Sequence, residues 1–157
     1  VHSYALFGPA LGLARGAYTE FVEWTKKRIL TYTQLAIAQH VPVQIALAEI
    51  SAQIDTAELL ARRCLATARA DYTGMTLDTR VLLRRDWNYA MKQLREAMDL
   101  LIRISGSSGL MEHNPVQRCW RDVQAISSHV VMAWDVPAEN FGRCELGLGR
   151  NEAYPAY

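Results

Sequence analysis

Apolar residues recur three and four positions apart along most of the chain. Nowhere do they alternate in twos over a strand's length, so the predicted elements are helices. The first stripe, Leu11, Ala14, Tyr18, Phe21, Val22, Thr25, Ile29 and Tyr32, predicts a helix over residues 3–32. A heptad series, Val43, Leu47, Ile50, Ile54, Ala57, Ala61, Cys64 and Ala68, predicts a second over 41–72, about 45 Å long. Residues 73–78 read as a turn, with Thr76 or Asp78 as the next N-cap. Leu83, Trp87, Met91, Leu94, Met98 and Leu101 predict a third helix over 79–104, closed by Gly106 in a left-handed conformation. Val116, Trp120, Val123, Ile126 and Val130 predict a fourth over 114–134, opened by Asn114 as N-cap and Pro115 at the first helical position. Residues 135–157 carry Pro137, Gly142, Gly147, Gly149 and Pro155 and read as an irregular tail. Its apolar residues, Phe141, Leu146, Leu148, Tyr154 and Tyr157, are expected to cover the bundle or a neighbouring subunit. Four long helices with short connections predict an all-α, up-down-up-down four-helix bundle, a single domain over residues 1–157.

Composition fits that picture. The 157 residues are 50% hydrophobic and 21% charged, a globular balance and not a disordered one. A net charge of +1 argues against a phosphate-neutralising nucleic-acid binder. No apolar run approaches the ~20 residues of a membrane span, and residues 1–4 begin no signal peptide pattern. Cys64, Cys119 and Cys144 are far apart and odd in number, and are expected to be reduced thiols of a cytoplasmic protein.

A helical bundle raises the question of a carboxylate-bridged di-iron centre, but no Glu-x-x-His occurs. Nor does His-Glu-x-x-His or a phosphate-binding glycine loop. His2, His40, His113 and His129 lack ligand spacing, so no metal is expected. What stands out is a polar row on the fourth helix: Arg118, Asp122, Ala125 and His129. His129 has two readings. The pattern alone favours an imidazole satisfied in the core or at a subunit contact. The other reading is a general base or hydrogen-bond partner that titrates near neutral pH. Asp122 is about 10–11 Å from it along the axis, and Arg121-Asp122 is expected to bond across to another helix. On the first helix, Gly8, Gly12 and Gly16 each cost up to about 1 kcal/mol against alanine. They suggest a closely packed neighbouring helix or a flat ligand.

Pro115-Val116-Gln117-Arg118, Trp120-Arg121-Asp122 and His129, preceded by Ser105-Gly106-Ser107-Ser108, form an ordered set. With Leu11-Gly12-Leu13-Ala14-Arg15-Gly16-Ala17, the set resembles the C-terminal domain of the acyl-CoA-dehydrogenase-like flavin monooxygenases. These are oxygenase components of two-component systems such as p-hydroxyphenylacetate hydroxylase and secosteroid phenol hydroxylase. The resemblance covers nearly the whole chain. It implies the acyl-CoA dehydrogenase C-terminal fold. It also implies reduced flavin, FMN or FAD, delivered by a separate flavin reductase component and used with O2 to hydroxylate an aromatic, often phenolic, substrate. His129 would be the catalytic residue beside the substrate hydroxyl. Gly106, Ser107 and Ser108 would face the flavin, and Arg28 would meet its phosphate. The aromatic-glycine sequence expected after Arg28 instead reads Ile29-Leu30-Thr31-Tyr32. Arg118, Arg121 and Asp122 become scaffold. The assembly implied is a homo-oligomer, usually a tetramer.

Many acyl-CoA dehydrogenases carry a catalytic glutamate directly after a tyrosine in this helix. Counted from Pro115, His129 takes the tyrosine's place and Val130 the glutamate's, and valine abstracts no proton. Two alternatives stay open: an acyl-CoA-dehydrogenase-type flavin oxidoreductase with its base elsewhere, and a non-catalytic helical oligomerisation module. The family's larger N-terminal part, a helical domain and a β-barrel, has no counterpart here, so the isolated chain is expected to be inactive.

Overall fold

The computed structural model describes residues 2–29, 36–71, 73–151 and 153. The helices are α1 (His2–Lys27), α2 (Val41–Ala70), α3 (Leu77–Ile104), the single turn α4 (Gly106–Gly109), α5 (Pro115–Ser127) and α6 (Asp135–Glu145). Two 3-10 turns, Ile37–Gln39 and Val130–Met132, link them. Among the described residues the one extended pairing is an isolated bridge between Ile29 and Ala36.

Helix α3 is the axis of the bundle, packing on α1, α2, α5 and α6. All six residues of its expected stripe, from Leu83 to Leu101, are buried. Trp87 of this stripe meets the Phe7 ring of α1, centroids 4.7 Å apart. The α2 stripe from Ile50 to Cys64 is buried as the heptads require. Small residues there and on α3 (Ala57, Ala61, Ala90, Ala97) let the two long helices approach closely. Thr76 is the α3 N-cap, its hydroxyl accepting from the Thr79 N–H at 3.2 Å.

Several boundaries differ from the sequence expectation. Helix α1 stops at Lys27 and α2 at Ala70. Arg28, Ile29 and Asp71 are not helical, and the rest of the expected extensions, residues 30–32 and Tyr72, lies outside the described residues, as do Tyr154 and Tyr157. The fourth helix ends at Ser127, seven residues before the expected Trp134. The Ser127 and Ser128 hydroxyls both turn back onto the Gln124 carbonyl at 2.9 Å, competing with helix continuation. The β-branched pair Val130-Val131 follows. The tail is not irregular throughout, because α6 occupies its first half. The α6 end is a Schellman motif: Gly147, at φ 72°, donates to Cys144, and Leu148 donates to Arg143 at 2.9 Å.

The glycines of α1 have no closely packed neighbouring helix among the described residues. Gly8, Gly12 and Gly16 are all exposed, and a Cβ added to any of them meets nothing within 4 Å. Within the described chain no helix packs against that stripe. The residues facing inward are Phe7, Ala10, Ala14, Ala17 and Phe21.

Cys64 packs as a small hydrophobe, its Sγ 3.6 Å from the Leu83 carbonyl. Burial pushes its thiol from the ordinary 9.0 up to about 12. Three pH units of suppressed thiolate should slow alkylation on the order of 10³-fold relative to the unfolded chain. Iodoacetamide labelling followed by mass spectrometry checks this; labelling of Cys64 at equal rates in both states would refute it.

Candidate active site

The residues singled out by sequence divide between the two ends of α5. At its N-terminus, Asn114 caps the helix, its Oδ1 accepting from the Val116 N–H at 2.9 Å. Its amide also reaches back to the Ser108 carbonyl at 2.9 Å. The cap therefore ties α5 to the Gly106–Ser108 stretch. That stretch departs from α3 through Gly106 at φ 60°, a conformation glycine adopts without strain. Ser105 is buried at the base, its hydroxyl on the Leu101 carbonyl at 2.7 Å. Gly109 closes the turn so tightly that a Cβ there would stand 2.4 Å from the Ser105 Cβ. Gly106 and Ser107 are exposed, while Ser108 is half-buried.

Beside this loop lies a cleft of about 140 Å³, lined by Glu20, Phe21 and Trp24 of α1 and by Ser105, Asn114, Pro115 and Val116. Arg28, just past α1, places its guanidinium 4.6 Å from the centre of the Trp24 ring. Arg28 thus approaches this cleft through Trp24, and the Gly106–Ser108 loop is tied to its lining through Asn114.

His129 lies beyond the other end of α5. The expected helical row through Arg118, Asp122 and His129 is broken, because the helix ends before the histidine. His129 instead caps the Val130–Met132 turn. Its side chain is exposed, so the core reading does not hold within this chain. Its Nδ1 accepts from the Val131 N–H at 3.3 Å. In that arrangement the neutral ring carries its proton on Nε2 and presents it outward as a donor. Val130 is 65% exposed beside it. Arg118, Arg121 and Asp122 are exposed and form no ion pair among the described residues. The expected Arg121-Asp122 bond across to another helix is therefore absent from the described chain. Asp99 of α3 makes that link instead, accepting from the Trp120 indole at 2.8 Å and from Gln124 at 2.6 Å.

Sequence reasoning missed the residues that seat the histidine's turn. Asn88 of α3 is fully buried and donates to the Val131 and Ala133 carbonyls at 2.9 and 2.8 Å. Trp134 stacks edge-on to Tyr89, centroids 5.3 Å apart, with the Lys92 ammonium over both rings. Next to them opens a groove of about 390 Å³, lined by Thr56, Leu60, Arg63, Arg85, Asp86, Tyr89 and Trp134. Asp86 forms its floor, 2% exposed and paired with Arg63 and Arg85. A polar Asn flanked by Trp87 and Tyr89 mid-helix was the available signal, since asparagine rarely sits there without a partner.

Known proteins share this fold. The family model described as acyl-CoA dehydrogenase, C-terminal domain, matches residues 4–134. The chain is 31% identical over 154 residues to the FADH(2)-dependent resorcinol hydroxylase, oxygenase component, of Rhizobium sp. (strain MTP-10005), covering 91% of this chain and 38% of that protein. It is 26% identical to the p-hydroxyphenylacetate 3-hydroxylase, oxygenase component, of Acinetobacter baumannii, covering 88% and 34%. The crystal structure of 3-HSA hydroxylase from Rhodococcus sp. RHA1 superposes with a TM-score of 0.84 at 28% identity, covering 96% of this chain and 40% of that one. The chain thus spans roughly two-fifths of the length of these relatives. With α2 to α5, nearly all of α1 and the loop before the capped α5 inside the matched region, the chain belongs to the acyl-CoA dehydrogenase C-terminal domain family.

Proposed function

We propose that the chain is the C-terminal domain of a reduced-flavin-dependent monooxygenase that hydroxylates a phenolic substrate with O2. The observation that carries this reading is the His129-Val130 pair: an exposed imidazole with Nδ1 engaged, next to a valine that abstracts no proton. The oxygenase components among its relatives support the same chemistry. Reduced flavin supplies the electrons that activate O2. For the flavin, the chain offers the exposed Gly106 and Ser107, the aromatic wall of Phe21 and Trp24, and the cation of Arg28. These suit a planar ring and a phosphate. His129 donates its Nε2–H to the substrate oxygen and favours the phenolate, whose electron-rich ring is the better acceptor of oxygen.

The flavin end and the histidine end are separated by the 13 residues of α5, about 20 Å. One chain therefore presents two half-sites. That separation supports a homo-oligomer, a tetramer in our reading, in which neighbouring chains complete each site. A separate flavin reductase component is the proposed electron source. The free cysteines fit a cytoplasmic setting, and no helix among the described residues is long and apolar enough to cross a membrane.

The test uses the full-length protein carrying this domain, given reduced flavin, O2 and a simple phenol. Oxygen uptake matched by hydroxylated product is the expected result. Oxidation of an acyl-CoA thioester without an oxygen requirement would overturn it.

A further inference from the structure

Asn88 occupies a costly position. Asparagine disfavours helix interiors, yet this one sits within α3 at 0% exposure. Both of its donated hydrogen bonds leave the helix for the turn that follows His129. Its Oδ1 is buried without a hydrogen-bond partner in the described structure. Reversing the amide would set that oxygen against the two carbonyls, so the amide has one workable orientation. Val131 is the shared residue. Its carbonyl accepts from Asn88, and its N–H donates to the His129 Nδ1. The turn is closed on the same side by the Met132 N–H, which donates to the His129 carbonyl at 2.7 Å. Met132 itself is buried at 3% exposure.

We propose that Asn88 is a positioning residue: by holding the Val131 carbonyl it aims the Val131 N–H at His129 and keeps the neutral imidazole in its Nε2–H form. The functional consequence, a donor presented to a substrate oxygen, rests on the hydroxylase reading above. The relay itself needs neither flavin nor substrate. If Asn88 only anchored the backbone, its replacement would leave the ring's proton where it was.

The 157-residue chain, labelled with ¹⁵N-histidine, is examined by NMR in alkaline buffer where imidazole is neutral. His129→Gln assigns the signal. The wild type is expected to show His129 predominantly as Nε2–H. Asn88→Asp keeps the shape but turns acceptors toward the carbonyls, and should lower the ratio of Nε2–H to Nδ1–H about two- to tenfold, the worth of one hydrogen bond. Asn88→Ser keeps one donor and should recover part of that ratio. Ile54→Val, a core change on α2, should leave it unmoved. A dominant Nδ1–H form in the wild type overturns the proposal before any variant is made. So does an unchanged ratio in folded Asn88→Asp, or in Asn88→Ser where the aspartate variant does not fold. Because no substrate is present, a failed relay leaves the hydroxylase reading standing, and failure of that reading leaves the relay standing.

Discussion

In the full-length protein, His129→Ala is expected to slow hydroxylation by about 10²–10⁴-fold, the usual worth of a proton-handling side chain. Flavin affinity should stay within about twofold. The structure separates the two effects. Among the described residues the His129 side chain makes one hydrogen bond, accepting from the Val131 N–H, and is otherwise exposed. Losing it costs a turn cap, about 1 kcal/mol, too little to unfold the bundle. The residues proposed to meet flavin lie at the opposite end of α5. Product formation and a flavin titration on the same preparation check both numbers; equal losses in the two would sink the assignment. His129→Gln sharpens the result. Glutamine donates a hydrogen bond but does not accept a proton, so partial activity supports the donor role and total loss would overturn it.

The fold was legible where a single physical requirement dominates. The α3 stripe from Leu83 to Leu101 is a helical face that must be buried, and all of it is. The start of α5 was legible for the same reason, since Asn114 and Pro115 answer the needs of a helix N-terminus and little else. Its end was harder. Val130 continues the apolar spacing of Val123 and Ile126, but periodicity does not register that Ser127 and Ser128 turn their hydroxyls back onto Gln124. The local hydrogen bonds won. In the tail, glycines that read as breakers include Gly147, which is the terminator of a real helix. The glycines of α1 suggested a close neighbour, but the neighbour is not among the described residues.

The geometry of the candidate site was not legible in the sequence. Loop residues 106–108 and Arg28 were picked out separately; none of them lines the cleft, which Arg28 reaches through Trp24 and the loop through Asn114. His129 was placed on a helix and lies just outside one. Arg118, Arg121 and Asp122, taken as the scaffold, face solvent. The scaffold is instead Asp99 under Trp120 and Gln124, and Asn88 under the turn. All four hydrogen bonds join residues at least 21 positions apart. No local pattern encodes which polar residue on α3 faces which element across the bundle.

Asp86→Ala is expected to lower stability by about 2–4 kcal/mol, a fall in Tm of roughly 5–15 °C for a chain of this size. Asp86 is 2% exposed and answers two arginines from different helices, Arg63 of α2 and Arg85 of α3. Arg85 also lies 4.2 Å from the centre of the Phe141 ring of α6. One carboxylate thus ties α2 to α3 and, through Arg85, steadies the packing of the tail helix. A fully buried pair broken from one side costs about 3–5 kcal/mol. Here the Arg63 and Arg85 side chains keep 53% and 29% exposure, so both can turn toward water and the cost falls below that range's upper end. The same reasoning separates charge from packing. Asp86→Leu with Arg85→Met removes the buried charge together with the less exposed of its two partners and should recover most of the lost stability, because apolar groups of similar volume replace a buried ion pair nearly without cost. Thermal and chemical denaturation of the three chains measure it. A Tm for Asp86→Ala within about 2 °C of wild type would show that the carboxylate is a bystander. A double variant no more stable than the single one would show that Arg85 holds Phe141 for reasons independent of Asp86.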